Sequence, residues 1–168
     1  LSTDSIAVLD SAQFNALTTA QVAALTSTQA AAFTSAQLDN MSTDALVALS
    51  SSALRAISSD ALAALDSAQI AVLGTGQISM LSTAQIASLS TDDLNALTTA
   101  QFAALTSAQV AAITATQADA MATDDLAAIS TGSIRALSTD ALAALDSAQL
   151  TVLTSAQVAA LTSRQIGS

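Results

Sequence analysis

The sequence predicts an all-α solenoid, a superhelix of about twenty-one eight-residue repeats in which each repeat is a very short capped helix. Three observations support this prediction. The 168 residues divide into twenty-one octads without remainder or insertion. The first and sixth residues of every octad are apolar. The second residue, usually Ser or Thr, precedes a frequent Gln by three positions, which is a spacing typical of helix starts.

The second and fifth positions indicate where each helix begins. A Ser or Thr followed three residues later by Gln forms a capping box, in which each side chain bonds the other residue's backbone N–H. Ser82 with Gln85 and Thr106 with Gln109 are examples. The seventh and eighth positions are mostly Ala, the best helix former.

The first and sixth positions predict the core. They correspond to the residue before the cap and the fourth helical residue, which contact each other in a hydrophobic staple. We therefore expect Leu81 to lie near Ile86 and Leu105 near Val110, with both positions buried throughout. The aromatic residues occupy the same positions and should also be core: Phe14, Phe33 and Phe102.

The charges follow the same frame. Three Asp residues occupy the cap position and eight lie in the following turn, where the helix dipole favours negative groups. Arg55 and Arg135 stand at position seven, near the helix end, where cations are favoured. The cap residues are Asp10, Asp66 and Asp146, and those of the next turn are Asp4, Asp44, Asp60, Asp92, Asp93, Asp124, Asp125 and Asp140.

A β-solenoid is the main structural alternative, because short Thr-rich repeats can form strands. The Ala content, the Gln at the capping-box position and the scarcity of Gly favour helices. A single long helix is disfavoured by the recurring pairs of Ser and Thr. Because helices this short are unstable alone, the octads must stack on one another.

Polar residues at position seven predict the superhelical turn. They recur at steps alternating between three and two octads, at Asn15, Asp39, Arg55, Ser79, Asn95, Asp119 and Arg135. The mean step predicts 20 residues per superhelical turn, with position seven meeting solvent once per turn.

An internal duplication organises the array. Residues 1–88 and 81–168 match at about 50 of 88 positions, and Arg55 recurs as Arg135. The prediction is a single octad-repeat array over residues 1–168, with an 80-residue duplication, 1–80 and 81–160, plus a final octad.

The composition disfavours several functions. A net charge of −10 argues against nucleic acid and anionic membranes, and polar residues interrupt every apolar run, so no membrane insertion is expected. His, Cys, Lys and Glu are absent, so we expect no enzyme, no catalytic residues, no cofactor and no small-molecule substrate.

Two pairs of adjacent acids are the strongest candidate metal ligands, Asp92–Asp93 and Asp124–Asp125. Calcium prefers six to eight oxygens around one site, and neither an EF-hand spacing nor a GGxGxD nonapeptide occurs. We therefore expect all four to be solvent-exposed helix-start residues without a metal. The cluster Gly74-Thr75-Gly76 lacks the rest of a phosphate loop and indicates a weakened helix or close packing.

The repeat LTSAQVAALT resembles octad-type stretches of long, acidic, aromatic-poor surface and secreted proteins of bacteria. That resemblance implies an extended stalk, spacer or filament element that is extracellular or on the cell surface. The alternative is a binding module with a repetitive face, for ice or a polymer surface, because Ser and Thr recur at position three.

No terminal octad has the polar face of a capping repeat, so we expect end-to-end self-association or continuation of a longer array.

Overall fold

The computed structural model describes residues 2–167 and places a short α-helix in each of the twenty-one octads. Those residues contain no strand, so the all-α solenoid is confirmed and the β-solenoid alternative is wrong. None of the described helices is long and apolar enough to cross a membrane. The helices are α1 Thr3–Ala7, α2 Ser11–Asn15, α3 Thr19–Ala23, α4 Ser27–Ala30, α5 Ser35–Asp39, α6 Thr43–Ala48, α7 Ser51–Ala56, α8 Ser59–Leu62, α9 Ser67–Ala71, α10 Thr75–Met80, α11 Thr83–Ser88, α12 Thr91–Asn95, α13 Thr99–Ala103, α14 Ser107–Ala111, α15 Ala115–Asp119, α16 Thr123–Ala128, α17 Thr131–Ile134, α18 Thr139–Ala143, α19 Ser147–Val152, α20 Ser155–Ala160 and α21 Ser163–Ile166.

The helices begin as the capping boxes predict. In α13 the backbone N–H of Thr98 donates to Oε1 of Gln101 at 2.6 Å, and the N–H of Gln101 donates to the Thr98 hydroxyl at 3.3 Å. The predicted boxes of Ser82 with Gln85 and of Thr106 with Gln109 are also formed. Two helices, α10 and α16, lack a side-chain cap because Gly74 and Ala122 occupy that position.

Each helix ends without a left-handed residue. The backbone turns extended at the first position of the next octad, as at Leu49 with φ −61° and ψ 134°, and stays extended through the next cap. No described residue has positive φ. Helices often end in a left-handed Gly, but here the extended pair of residues redirects the chain, which explains how so few glycines suffice.

The first and sixth positions form one continuous core, as predicted. Leu81, Ile86, Leu105 and Val110 are all buried, and so are the three aromatic residues. The rings of Phe14 and Phe33 meet edge to face with centroids 4.9 Å apart. Burial of these positions is incomplete only in the terminal octads of the array, where the first positions are half-buried and the last sixth positions are exposed.

One superhelical turn contains between three and four octads. Each helix packs on the helix three octads away, as α4 does on α1 and α7. Side-chain hydrogen bonds join residues 28 and 31 positions apart, for example Gln37 to the carbonyls of Leu9 and Ile6. The predicted turn of 20 residues is therefore wrong. It assumed that position seven reaches solvent once per turn, whereas no position-seven residue is buried in the described chain.

Three of the polar residues at position seven, Asn15, Arg55 and Asn95, instead connect successive turns. The side-chain amides of Asn15 and Asn95 each donate at 2.7 Å to a backbone carbonyl 25 residues later, that of Asn40 or Ala120. The Arg55 guanidinium reaches the carbonyl of Met80 at 3.1 Å in the same way. These carbonyls lie at helix ends, where a carbonyl has no N–H donor within its own helix.

Candidate functional site

The most regular polar feature of the interior is a set of buried glutamines at position five, here called the glutamine ladder. Each side-chain amide nitrogen donates to two carbonyls, 28 and 31 residues earlier, at 2.6–3.3 Å. Each bond therefore links one turn of the superhelix to the turn before it. The residues that make both bonds are Gln37, Gln69, Gln77, Gln85, Gln101, Gln109, Gln117, Gln149 and Gln157.

The ladder explains why position five is Gln and never Glu. The Oε1 atom accepts the N–H of the cap residue, and Nε2 supplies the two donors that reach the previous turn. A glutamate could complete the capping box but has no donor for those carbonyls. The sequence interpretation assigned Gln only the capping role and missed its burial. The absence of Glu from the sequence was the signal for the second role.

Other side chains replace Gln at several interior octads. Ser133 keeps part of the function, because its hydroxyl donates to the carbonyl of Leu105 at 3.0 Å, 28 residues earlier. At four octads the position holds a buried alanine, which adds apolar contact but no hydrogen bond: Ala45, Ala53, Ala61 and Ala141. The remaining two replacements are acids.

Asp93 and Asp125 occupy this position and are both buried. The expectation that all four paired acids are solvent-exposed is therefore wrong for these two, although all four lie in the first turn of a helix. The reason is that position five faces the previous turn, whereas position four, held by Asp92 and Asp124, faces solvent.

The two buried acids have different surroundings. Asp93 accepts hydrogen bonds from the hydroxyls of Ser90 at 2.6 Å and Ser67 at 3.1 Å. Asp125 follows Ala122, which offers no hydroxyl. Burial, with a smaller contribution from the neighbouring Asp124 charge, raises the pKa of Asp125 to about 6. Hydrogen bonds to the charged form would lower that pKa, and Asp125 lacks the cap hydroxyl that Asp93 has.

The two other candidate sites from the sequence are a metal site and the glycine cluster at residues 74–76. Residues 2–167 contain no group of three or more side chains placed to hold a metal ion. A methyl group added at Gly76 would meet nothing within 4 Å, so close packing does not explain that glycine. Gly74 occupies the cap position of α10 and has no side chain, so this helix begins without a side-chain cap.

The two ends of the array expose what the interior buries. At the N-terminal face, an open groove is lined by Leu17, Gln21, Ala24, Leu25 and Gln29. At the C-terminal face, the sixth-position residues Leu150, Val158 and Ile166 are 48%, 46% and 67% exposed, where interior residues at that position reach at most 9%. They line an open apolar groove of about 420 Å³.

Comparison with known proteins gives one match. A repeat family described as the ALTTAQ repeat matches residues 1–27, 39–75, 62–91, 86–123 and 118–155, which together cover well over half of the chain. The letters ALTTAQ occur unchanged at residues 16–21 and 96–101, where they run from the end of one octad to the Gln of the next. No curated protein and no solved structure matches.

Proposed function

This chain belongs to the ALTTAQ repeat family, and we propose that it serves as a structural scaffold, stalk or filament element outside the cell. The observation that carries the proposal is the glutamine ladder. Nine buried side chains each bind two backbone carbonyls of the preceding turn, so the interior polar groups serve to hold turn against turn. An array built this way gains length with every octad while its cross-section stays constant.

The chemistry of the surface agrees with a structural role. His, Cys, Lys and Glu are missing, so the usual acid–base and nucleophilic groups of enzymes are not available. The two end grooves described above are open, unlike the enclosed pockets that bind small substrates. Thirteen acids against three arginines oppose binding to nucleic acid.

The shape of the chain in solution tests whether the array is a rod. About six turns, at the 8–10 Å spacing of packed helices, give a length of about 50–60 Å. Small-angle X-ray scattering should show an elongated particle whose pair-distance distribution has a long tail. A compact, isotropic particle would contradict the proposal.

The location is tested on cells that express the protein. An antibody against the chain should label intact cells, or the medium, without permeabilisation. An intracellular marker stained in the same experiment provides the control for membrane integrity. Labelling that appears only after permeabilisation would exclude the extracellular role.

A repetitive binding face is the second candidate, supported by Ser and Thr residues at position three that recur every eight residues, none of which is buried in the described chain. Ice or a polymer surface could be recognised by such a pattern. Several position-three hydroxyls are already used within the fold, since Ser11 and Ser107 donate to carbonyls 25 residues later. Thermal hysteresis separates the two candidates, because a rod without an ice-binding face should give none.

A further inference from the structure

We propose that the array opens first between the turn formed by α13–α15 and the turn formed by α16–α18, and that the carboxyl of Asp125 controls this opening by gaining or losing a proton. Such opening is a property of the array itself, whether or not the chain serves as a stalk outside the cell. Two features of the interior carry it: a break in the glutamine ladder that spans most of one turn, and a buried acid without a hydrogen-bond partner.

The ladder is interrupted over three successive octads at two places, here called the first gap and the second gap. In the first gap, helices α6–α8, position five holds Ala45, Ala53 and Ala61. In the second gap, helices α16–α18, it holds Asp125, Ser133 and Ala141. Because one turn contains between three and four octads, each gap removes glutamine bonds around most of one interface between turns. The gaps lie 80 residues apart, at equivalent places of the duplication, so each serves as a comparison for the other.

The interface at the second gap has few hydrogen bonds between its turns. Helices α16, α17 and α18 pack on α13, α14 and α15. Glutamines at position five of these octads would serve six carbonyls, those 31 and 28 residues earlier, as Gln117 serves Ile86 and Leu89. Among residues 2–167, only one of the six receives a side-chain bond, the carbonyl of Leu105 from the Ser133 hydroxyl at 3.0 Å.

The helices of the second gap are also less favoured locally than those of the first. Ser42 caps α6, whereas Ala122 leaves α16 without a side-chain cap. Gly132 lies inside α17 where Ser52 lies inside α7, and glycine is the poorer helix former. The bond from Ser133 to the previous turn offsets only part of these losses.

Asp125 is the main difference between the two gaps. It is 7% exposed, and its carboxylate accepts no hydrogen bond from residues 2–167. It stands where a ladder glutamine would donate to the carbonyls of Leu94 and Leu97. A carboxylate presents only lone pairs to those oxygens, whereas a protonated carboxyl has one O–H to donate. Loss of the proton therefore weakens the contact between the two turns, and its return restores one hydrogen bond.

No arginine of the described chain forms an ion pair with this acid. Helix α16 packs on α13 and α19, and neither contains a titratable side chain. Asp124 lies beside Asp125 at exposed position four, and Asp146, the cap of α19, accepts the N–H of Gln149 at 2.7 Å. Burial, and to a smaller extent the Asp124 charge, raises the pKa of Asp125 from 3.8 to about 6. Because opening rehydrates the carboxyl, a rise of pH through this range favours the open form.

Hydrogen exchange of the intact 168-residue chain, followed by mass spectrometry, locates the opening. Protection factors, which remove the pH dependence of exchange in an unfolded chain, are compared at pH 4.5 and pH 7.5. At pH 7.5 the amides of α16–α18 should be at least about tenfold less protected than those of α9–α11, where glutamines join the turns. At pH 4.5 their protection should rise about tenfold or more, whereas that of α6–α8 should change less than about threefold.

Variants at position five test the role of the acid. Asp125→Ala places in the second gap the residue that the first gap has there, so protection of α16–α18 at pH 7.5 should rise about tenfold or more and lose its pH dependence. Asp125→Gln supplies the missing donors and should raise protection at least as much. Asp93→Ala is the matched control, because Ser90 and Ser67 already donate to that carboxylate, and it should leave the pH response of α16–α18 unchanged.

The outcomes distinguish local opening from unfolding of the whole array. Equal protection in all helices at pH 7.5 would show that the chain unfolds as one unit and would overturn the proposed place of opening. The same pH response in the two gaps, or a pH response that persists in Asp125→Ala, would overturn control by Asp125. Lowest protection at α16–α18, recovered by pH 4.5 in the wild-type chain and at both pH values in Asp125→Ala, is the result expected.

Discussion

The same six residues, ALTTAQ, occur near the start of the array and in its middle, and only their surroundings differ. Both copies form a capping box, between Thr18 and Gln21 and between Thr98 and Gln101. Gln101 is 2% exposed and its amide reaches the carbonyls of Ile70 and Leu73, whereas Gln21 is exposed. The octad sequence therefore determines the helix, and the preceding turn determines whether its glutamine contributes to the stability of the array.

Replacing Gln by Glu at the two copies should give the largest contrast. Gln101→Glu places a carboxylate against carbonyl oxygens and should cost about 3–5 kcal/mol of unfolding free energy at neutral pH. Gln21→Glu keeps its capping box in solvent and should cost less than about 0.5 kcal/mol. Urea unfolding followed by circular dichroism measures both.

Acidification provides the control for this contrast. Protonating the new carboxyl restores a donor and removes the buried charge, so the Gln101→Glu variant should recover part of its loss at low pH relative to wild type. Equal losses at the two positions would show that the ladder bonds contribute nothing to the interior copy.

The buried carboxyl of Asp125 predicts a pH dependence of stability. The folded-state pKa of Asp125 is about 6, against 3.8 as its ordinary value, so folding favours its protonated form. The stability from this group is complete below pH 3.8 and is lost as pH rises through about 6. Folding near pH 5 should take up close to one proton at this site, measured by carboxyl titration in NMR spectra.

Asp125→Asn is the matching variant. It keeps a side chain of the same shape and removes the charge, so the decline in stability between pH 4 and 6 should become shallower than in wild type. Asp93→Asn in the other acid octad serves as the comparison, because Ser90 and Ser67 already donate to that carboxylate. An unchanged pH profile in the Asp125→Asn variant would contradict the assignment.

The missing cap of α16 predicts a smaller effect. Ala122→Ser should raise the unfolding free energy by about 1 kcal/mol at neutral pH, because it supplies the cap bond that α12 receives from Ser90. The new hydroxyl should also lower the pKa of Asp125. Ser90→Ala is the reciprocal control and should cost a similar amount. A gain in unfolding free energy without any change in the Asp125 titration would show that the new hydroxyl caps the helix but does not contact the acid.

Much of this architecture follows from local rules that a sequence displays. The caps depend on neighbours within three residues, and they were predicted correctly, as was the burial of Leu81-type and Ile86-type residues in the interior of the array. The superhelical turn depends on contacts about 28 residues apart, and polar residues at position seven misled its prediction. They were interpreted as solvent contacts, whereas Asn15 and Arg55 donate to carbonyls of the next turn. Burial of Asp93 and Asp125 was missed because it depends on the same non-local stacking.

Position four should give the smallest effect, and nearly the same effect in different turns, because its side chain faces solvent. Only its backbone meets the adjacent turn, as where the carbonyl of Gly132 accepts from the Ser107 hydroxyl. Gly76 and Gly132 both occupy position four, and a methyl group added at either would meet nothing within 4 Å. Gly76→Ala and Gly132→Ala should each raise the unfolding free energy by about 0.5–1 kcal/mol, since alanine favours the helix over glycine. Urea unfolding of the two single variants and their combination should give additive gains, because the sites share no contact. Gains that differ widely between the two octads would show that a substitution at position four also changes contacts with the adjacent turn.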